Sequence, residues 1–173
     1  VAAVLEAWDR SANADSRGAV LFDAWYRRAV RAGSVFAVRW NEADPRATPR
    51  GLANPETAVR ALVEAVNLVT KAYGAIDVPW GQVYRLRGGG RDLPANGGPG
   101  DLGIFRVLNF TEDPDGKMRA TSGDSYVATI EFGPAVRARS LVSYGNASQP
   151  GSPHVGDQLE LFAKKQLKPV WLT

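Results

Sequence analysis

The stretch SYVATIEFGPAVRARSLVSYGNASQPGSPHVGDQ, residues 125–158, decides how the chain folds. It opens with two strand-like runs, SYVATIEF (125–132) and VRARSLVSY (136–144), separated by Gly133-Pro134-Ala135. Both runs are rich in the β-branched and aromatic residues that suit a pleated surface. Alternation along the first places Tyr126, Ala128, Ile130 and Phe132 on one side and Val127, Thr129 and Glu131 on the other. From Ser143 onward the pattern becomes a loop. It carries the single histidine of the chain, His154, between the hydroxyl of Ser152 and the carboxylate of Asp157. A nucleophile, a base and an orienting acid must converge from different elements on one substrate position. Two and three residues apart in a proline-containing loop, these side chains are expected to diverge. The segment reads as a loop ordered by side-chain to backbone hydrogen bonds.

Working outward, Val155, Leu159 and Phe162 predict a short C-terminal helix, and PVWLT (169–173) a last strand. Upstream, EDPDGK (112–117) has the composition of a hairpin connection, and GQVYRLR (81–87) and GIFRVLNF (103–110) read as strands. GGGRDLPANGGPGD (88–101) lies between them as a long glycine-rich connection. The first half has helical period. VAAVLEAWD (1–9) is the end of an apolar helix, and Ser16 is placed to cap a second helix running to about Ala32, with Leu21, Phe22, Trp25 and Ala29 on its apolar stripe. NEADPRATPRG (41–51) reads as loop. NPETAVRALVEAVNLVTKAYG (54–74) is a helix with Asn54 as cap, Pro55 at its first position and Gly74 at its end. Val59, Leu62, Val63, Val66 and Tyr73 share one face of it. The prediction is an α+β chain in one piece, 1–173. A helical part, 1–74, and a strand-rich part, 80–173, give helices packed on a mainly antiparallel sheet.

Composition sets the bounds. With 45% hydrophobic residues and five tryptophans among 173, the chain can bury a core, which argues against disorder. The net charge of +3 is too small and dispersed to argue for nucleic-acid binding by itself. There is no cysteine, so disulfides and thiolate chemistry are excluded. No apolar run reaches the roughly 18 residues that span a bilayer. The chain opens on Val1 within a helical pattern, without initiator Met or signal peptide, and reads as part of something longer. LRGGGR (86–91) lacks the Lys-Ser/Thr of a phosphate-binding loop, and DPDG (113–116) lacks the spaced oxygen ligands of a calcium loop.

Five stretches carry a resemblance: AWDRSANADSRGA (7–19), TPRGL (48–52), GGPGDLG (97–103), GDSYVATIEFG (123–133) and SYGNASQPGSPHVGDQLELFAKKQLKPVWLT (143–173). Together they resemble the C-terminal part of the β chain of penicillin acylase-type N-terminal-nucleophile hydrolases. The nearest subgroup is the acyl-homoserine-lactone, aculeacin and cephalosporin acylases. The resemblance implies a piece of an αββα fold, in an enzyme that removes an acyl group from an amine such as a homoserine lactone, a lipopeptide antibiotic or a β-lactam. It implies a precursor cut into α and β chains, whose new N-terminal serine is the nucleophile with its own α-amino group as base. An oxyanion hole comes from backbone N–H and an asparagine. On that comparison the nucleophile, its neighbouring histidine, the oxyanion residues and most of the acyl pocket lie outside this chain, and His154 is a loop histidine.

The same resemblance offers one catalytic-support residue. A glutamate in this region of the β chain orients the active-site histidine, and Glu131 matches it by motif. Its strand face, shared with Val127, hints at burial. The alternative is a strand glutamate facing solvent, or pairing with Arg137 or Arg139 on the next strand. The implied partners are the remainder of the β chain, the α chain and a small acyl-amide substrate, with no nucleic acid, no membrane, no metal and no cofactor. The implied location is secreted or periplasmic. A rival reading is a non-catalytic binding module contacting nucleic acid or protein through the Gly/Arg-rich loop 85–91.

Overall fold

Two helices that meet through alanine organise the first part of the chain. The computed structural model describes residues 1–33 and 35–171. These fall into two compact units, one made of Val1–Asp9 with Arg17–Val78, the other of Arg10–Ser16 with the chain from Pro79 onward. The first unit contains α1 (Ala2–Ala7), α2 (Ala19–Arg31), a small antiparallel hairpin of β1 (Phe36–Val38) and β2 (Arg50–Leu52), and α3 (Pro55–Tyr73). The hairpin encloses NEADPRATP as its loop, so the last two residues of the predicted loop, Arg50 and Gly51, belong to a strand.

Helix α3 begins and ends as its sequence predicts. The Asn54 side-chain oxygen accepts the N–H of Thr57 at 3.0 Å, and Gly74 closes the helix in the left-handed region at φ 79°. Its buried face, however, is not the predicted valine stripe. Ala58, Ala61, Ala65 and Val69 are buried, whereas Val59 and Val63 are 62% and 56% exposed. Small residues let α2 and α3 approach closely, and the Trp25 indole donates to the Ala58 carbonyl at 2.9 Å across that contact. The bulkier valines lie on a neighbouring face that this chain leaves open. Ser16 does not cap α2. The helix starts from Gly18 at φ 98°, where a Cβ would come within 2.9 Å of the Trp8 side chain.

The second unit starts with α4 (Trp80–Val83), which runs directly into β3 (Tyr84–Gly88); β4 (Arg91–Pro94), β5 (Leu108–Glu112) and β6 (Met118–Gly123) follow. These strands form a sheet in the order β4-β3-β6-β5, with β3 and β6 parallel and the other pairs antiparallel. The remaining elements are β7 (Tyr126–Glu131), β8 (Arg137–Val142), α5 (Leu159–Ala163) and β9 (Lys168–Val170), the three strands making a separate antiparallel sheet in the order β7-β8-β9. Leu172 and Thr173, part of the predicted last strand, lie outside the described residues. The class is α+β, as the sequence predicts.

Several sequence readings change in this unit: α4 takes Gly81–Val83 from the predicted strand 81–87, and the strand predicted over 103–110 begins only at Leu108. The glycine run is a tight hairpin turn: Gly89 and Gly90 both have positive φ, 57° and 75°, which is what a two-residue turn matched to strand twist requires. Strand β6 was not expected, because only Ala120 of its six residues is buried and its alternation is weak. The core gathers on Trp80, which stacks on Tyr84 with centroids 3.5 Å apart and donates its indole N–H to the Gly97 carbonyl at 3.0 Å. The segment Arg10–Ser16 straps this core through its backbone. Ala12, Ala14 and Ser16 carbonyls accept from Gly97, Gly81 and Trp80 N–H at 2.8, 2.8 and 2.9 Å.

A charge network holds the two hairpins of the four-stranded sheet together. Arg87 on β3 reaches Asp92 at 3.2 Å on the neighbouring strand, and Asp113 and Asp115 at 2.7 and 2.6 Å in the β5–β6 turn. Arg119 and Arg85 add contacts to Asp113 and Asp92 at 2.9 and 2.6 Å. The Arg87 hydrogen bond lowers the Asp115 carboxyl from its usual 3.8 to about 2, and Arg87 followed by Arg119 lowers Asp113. Burial opposes ionisation of Asp92, but its bonds to Arg85 and Arg87 outweigh that and lower it too.

Two outcomes follow from this architecture. Leucine at Ala65 has no room against α2, so Ala65→Leu should cost about 1–3 kcal/mol in urea unfolding. Val63→Ala should stay within about 0.5 kcal/mol in the 173-residue chain; equal losses at the two positions would contradict the alanine contact. The carboxylates titrate below their unfolded values, so their contribution is fully present above about pH 4 and is lost as pH falls towards 2. Arg87→Met should lower the urea midpoint at neutral pH and flatten its fall between pH 4 and 2. An unchanged acid slope would remove Arg87 from the account.

Candidate functional site

The loop with the histidine is ordered from its far end by Gln158. This buried side chain accepts the Val142 N–H at 3.0 Å and donates to the Asn146 side chain at 3.2 Å, while its backbone N–H donates to the Tyr144 carbonyl at 3.0 Å. It thereby continues the edge of β8 beyond the end of β9. Nothing in the sequence flags it except a polar residue set between the apolar positions Val155 and Leu159. Gly145 has no space for a side chain, since a Cβ there would lie 2.0 Å from the His154 carbonyl.

Within this loop the three candidate residues are partly brought together. His154 Nδ1 and the Asp157 carboxylate meet at 2.9 Å, which corrects the expected divergence of these two. A spacing of three residues in a turn of the chain suffices for the contact. Ser152 does not complete a triad: its hydroxyl oxygen accepts the backbone N–H of His154 at 3.2 Å. The imidazole is largely in solvent. A base without a nucleophile aligned on it, in an open surface loop, has no means of activating a hydroxyl.

The Gly/Arg loop 85–91 is occupied internally. Arg85 and Arg87 hold the aspartates already described, and Arg91 meets Glu160 at 3.1 Å. Gly89 lies against Gly156, where a Cβ would approach the Gly156 Cα to 2.9 Å, so the glycines serve close backbone packing. Asp113 and Asp115 form the predicted turn, with Gly116 N–H donating to the Asp113 carbonyl at 2.9 Å. Among the described residues no group of three or more histidine and carboxylate side chains is arranged to hold a metal ion.

Glu131 ends β7, directly across from Arg137 in the ladder. Its strand face also carries Val127, half-buried, and Leu141, fully buried, but Glu131 itself is exposed. The hint of burial does not hold within this chain. The reason is position: β7 is an edge strand, and five of its six residues are exposed.

With this geometry in hand, comparison with known proteins places the chain. The family model described as penicillin amidase matches residues 1–173. The chain is 37% identical over 175 residues to acyl-homoserine lactone acylase PvdQ of Pseudomonas fluorescens, a match covering 96% of this chain and 22% of that protein. It is 36% identical over 173 residues to the PvdQ acylase of Pseudomonas syringae pv. tomato, covering 93% and 22%. It is 32% identical over 172 residues to aculeacin-A acylase of Actinoplanes utahensis, covering 93% and 20%. The chain thus spans about a fifth of the length of these relatives. From its first residue to its last, it belongs to the penicillin amidase family.

Proposed function

We propose that this chain is the C-terminal portion of an acylase that hydrolyses an amide, releasing an acyl group from an amine such as a homoserine lactone, a lipopeptide or a β-lactam nucleus. The observation that carries the reading is the family match over all 173 residues, together with relatives that are acylases by name. On this reading the nucleophile is an N-terminal serine of the processed β chain, outside these residues, with its α-amino group as base. The partners are the rest of the β chain and the α chain. On the same reading the enzyme works in the periplasm or outside the cell. Ser152, His154 and Asp157 are structural.

Glu131 is the residue of this chain assigned to the reaction, as a positioning residue. A carboxylate accepting an imidazole N–H fixes the tautomer and orientation of a histidine supplied from outside the chain. Its exposure at the end of an edge strand leaves it accessible to such a group, in competition with Arg137 across the ladder. The test uses the complete enzyme. Glu131→Gln keeps an acceptor but loses the charge that stabilises an imidazolium. That is worth about 1.5–3 kcal/mol, or roughly one to two orders of magnitude in turnover, with thermal midpoint unchanged and the acidic limb of the pH–rate profile displaced. His154→Ala should leave turnover within about twofold, and the 173-residue chain alone should turn over no amide. A Glu131→Gln enzyme that loses stability while its folded fraction keeps full turnover and the parent pH profile would reduce Glu131 to scaffold.

A further inference from the structure

Asn96-Gly97 is the only place in the chain where an asparagine precedes a glycine. Such a pair is chemically labile. With no Cβ on the second residue, its main-chain nitrogen can reach the carboxamide carbon of the first. The fold nevertheless requires both residues. Gly97 has φ 100°, and a Cβ there would lie 2.5 Å from the Arg106 carbonyl oxygen. Position 96 must accept and donate at once. The Asn96 side-chain oxygen accepts the Ala14 N–H at 2.8 Å, and its nitrogen donates to the Ala163 carbonyl at 2.5 Å. A carboxamide does both from one side chain, whereas a carboxylate only accepts.

The same contacts hold the pair inert. Gly97 donates its N–H to the Ala12 carbonyl at 2.8 Å, so the nitrogen keeps its proton and is turned to the segment Arg10–Ser16 that straps the core. The Asn96 carboxamide is fixed at both ends, and with 9% of the residue exposed, water and hydroxide are kept from it. Two of these three bonds run to the strap itself, to Ala12 and Ala14. Of the strap's own residues only Ser16 is buried. It is held by its backbone bonds to Gly97, Gly81 and Trp80, by Asn96, and by Lys165, which donates to the Asn13 side chain. A segment with little buried surface, held by a handful of bonds, opens well below the free energy of global unfolding.

We propose that Asn96 is a deamidation site gated by this strap. When residues 10–16 lift away, the Gly97 N–H gives its proton to hydroxide and the nitrogen bonds to the Asn96 Cγ. The bond from Cγ to the side-chain nitrogen breaks, and that nitrogen takes a proton from water and leaves as ammonia. Water then adds at one of the two carbonyls of the cyclic imide. The ring opens to aspartate, or to isoaspartate, in which the main chain runs through the side chain. Either product holds the strap off. Aspartate sets a carboxylate, with no donor, against the Ala163 carbonyl. Isoaspartate adds a main-chain carbon just before Gly97, which displaces the bonds of Gly98 to Arg106 and Leu108, now at 3.2 and 2.8 Å. A transient opening is thereby made permanent, whatever reaction the chain takes part in.

The test follows the full-length protein at mildly alkaline pH, with and without urea. Fragment-ion mass spectrometry reads the mass gain and the isoaspartate content at each asparagine. In urea, Asn96 should deamidate about tenfold or more faster than the other asparagines. Without urea it should react about a hundredfold or more slower than in urea. Ser16→Ala removes the bonds of the Ser16 hydroxyl to the Ser11 hydroxyl and the Asn13 N–H. It should raise the folded-state rate at Asn96 about tenfold and leave the rate in urea unchanged. Asn96→Asp supplies the hydrolysed side chain directly. It should speed hydrogen exchange of the Gly97, Gly81 and Trp80 amides, the donors to the strap, by about tenfold or more. Deamidation of Asn96 as fast in the folded protein as in urea would overturn the proposal, as would a rate in urea no faster than that of the other asparagines. So would three amides that stay as protected in Asn96→Asp as in the parent. If Asn96→Asp does not fold, Ser16→Ala decides: an unchanged folded-state rate sinks the gate.

Discussion

Strand β8 must find a partner for every backbone N–H and C=O it carries into the interior, and the arrangement of the C-terminal third follows from that demand. On one side β7 supplies the partners from Tyr126 to Glu131. On the other, β9 supplies them only as far as Lys168 opposite Ser140. Past that point the chain has no strand to offer, and Gln158 takes over, its side chain accepting from Val142 and its N–H donating to Tyr144. Because Gln158 immediately precedes α5, this fixes where the helix begins and seats Leu159 and Phe162 in the core. A loop that carries a histidine, a serine and an aspartate is thus shaped by the needs of a strand.

Close backbone approach is the second constraint, and it explains much of the glycine content. Gly145 lies under the His154 carbonyl, and Gly89 lies against Gly156. Gly81 sits where a Cβ would be 2.6 Å from Pro94, next to the strap from Ala12 to Ser16. Gly89 meets main chain, Gly145 meets main chain and the Asp157 carboxylate, and Gly81 meets the Pro94 and Ala14 side chains. Side-chain charge does structural work at Arg87 with its aspartates, which ties hairpins together where salt and acid both reach it.

Elements with strong local signals were legible in the sequence. Asn54, Pro55 and Gly74 bound α3 because caps and φ preferences are written in single residues. The strands 126–131 and 137–142 were legible because the runs 125–132 and 136–144 hold β-branched and aromatic residues, Tyr126, Val127, Thr129 and Ile130 in the first and Val136, Val142 and Tyr144 in the second. What failed was partner-dependent. Which of two apolar faces of α3 is buried depended on the alanines that α2 packs against, not on hydrophobicity, which favoured Val59 and Val63. Ser16 has the composition of a helix cap, but its oxygen bonds to Ser11 and to the N–H of Asn13. β6 hid because strand polarity tracks exposure, and most of that strand is exposed. Gln158 was invisible because its partners are backbone groups of another element. The burial inferred for Glu131 rested on the valine that shares its face, and five of the six residues of that edge strand are exposed.

The residues that carry the family resemblance bear this out from the other direction. In AWDRSANADSRGA, Trp8 is met by Gly18, and the carbonyls of Ala12, Ala14 and Ser16 receive three N–H groups of the core. In the 143–173 block, Gly145, Gly156 and Gln158 have main-chain roles. The segments that carry the resemblance thus hold main-chain contacts of this fold. Glu131 stands exposed at the end of an edge strand, across the ladder from Arg137.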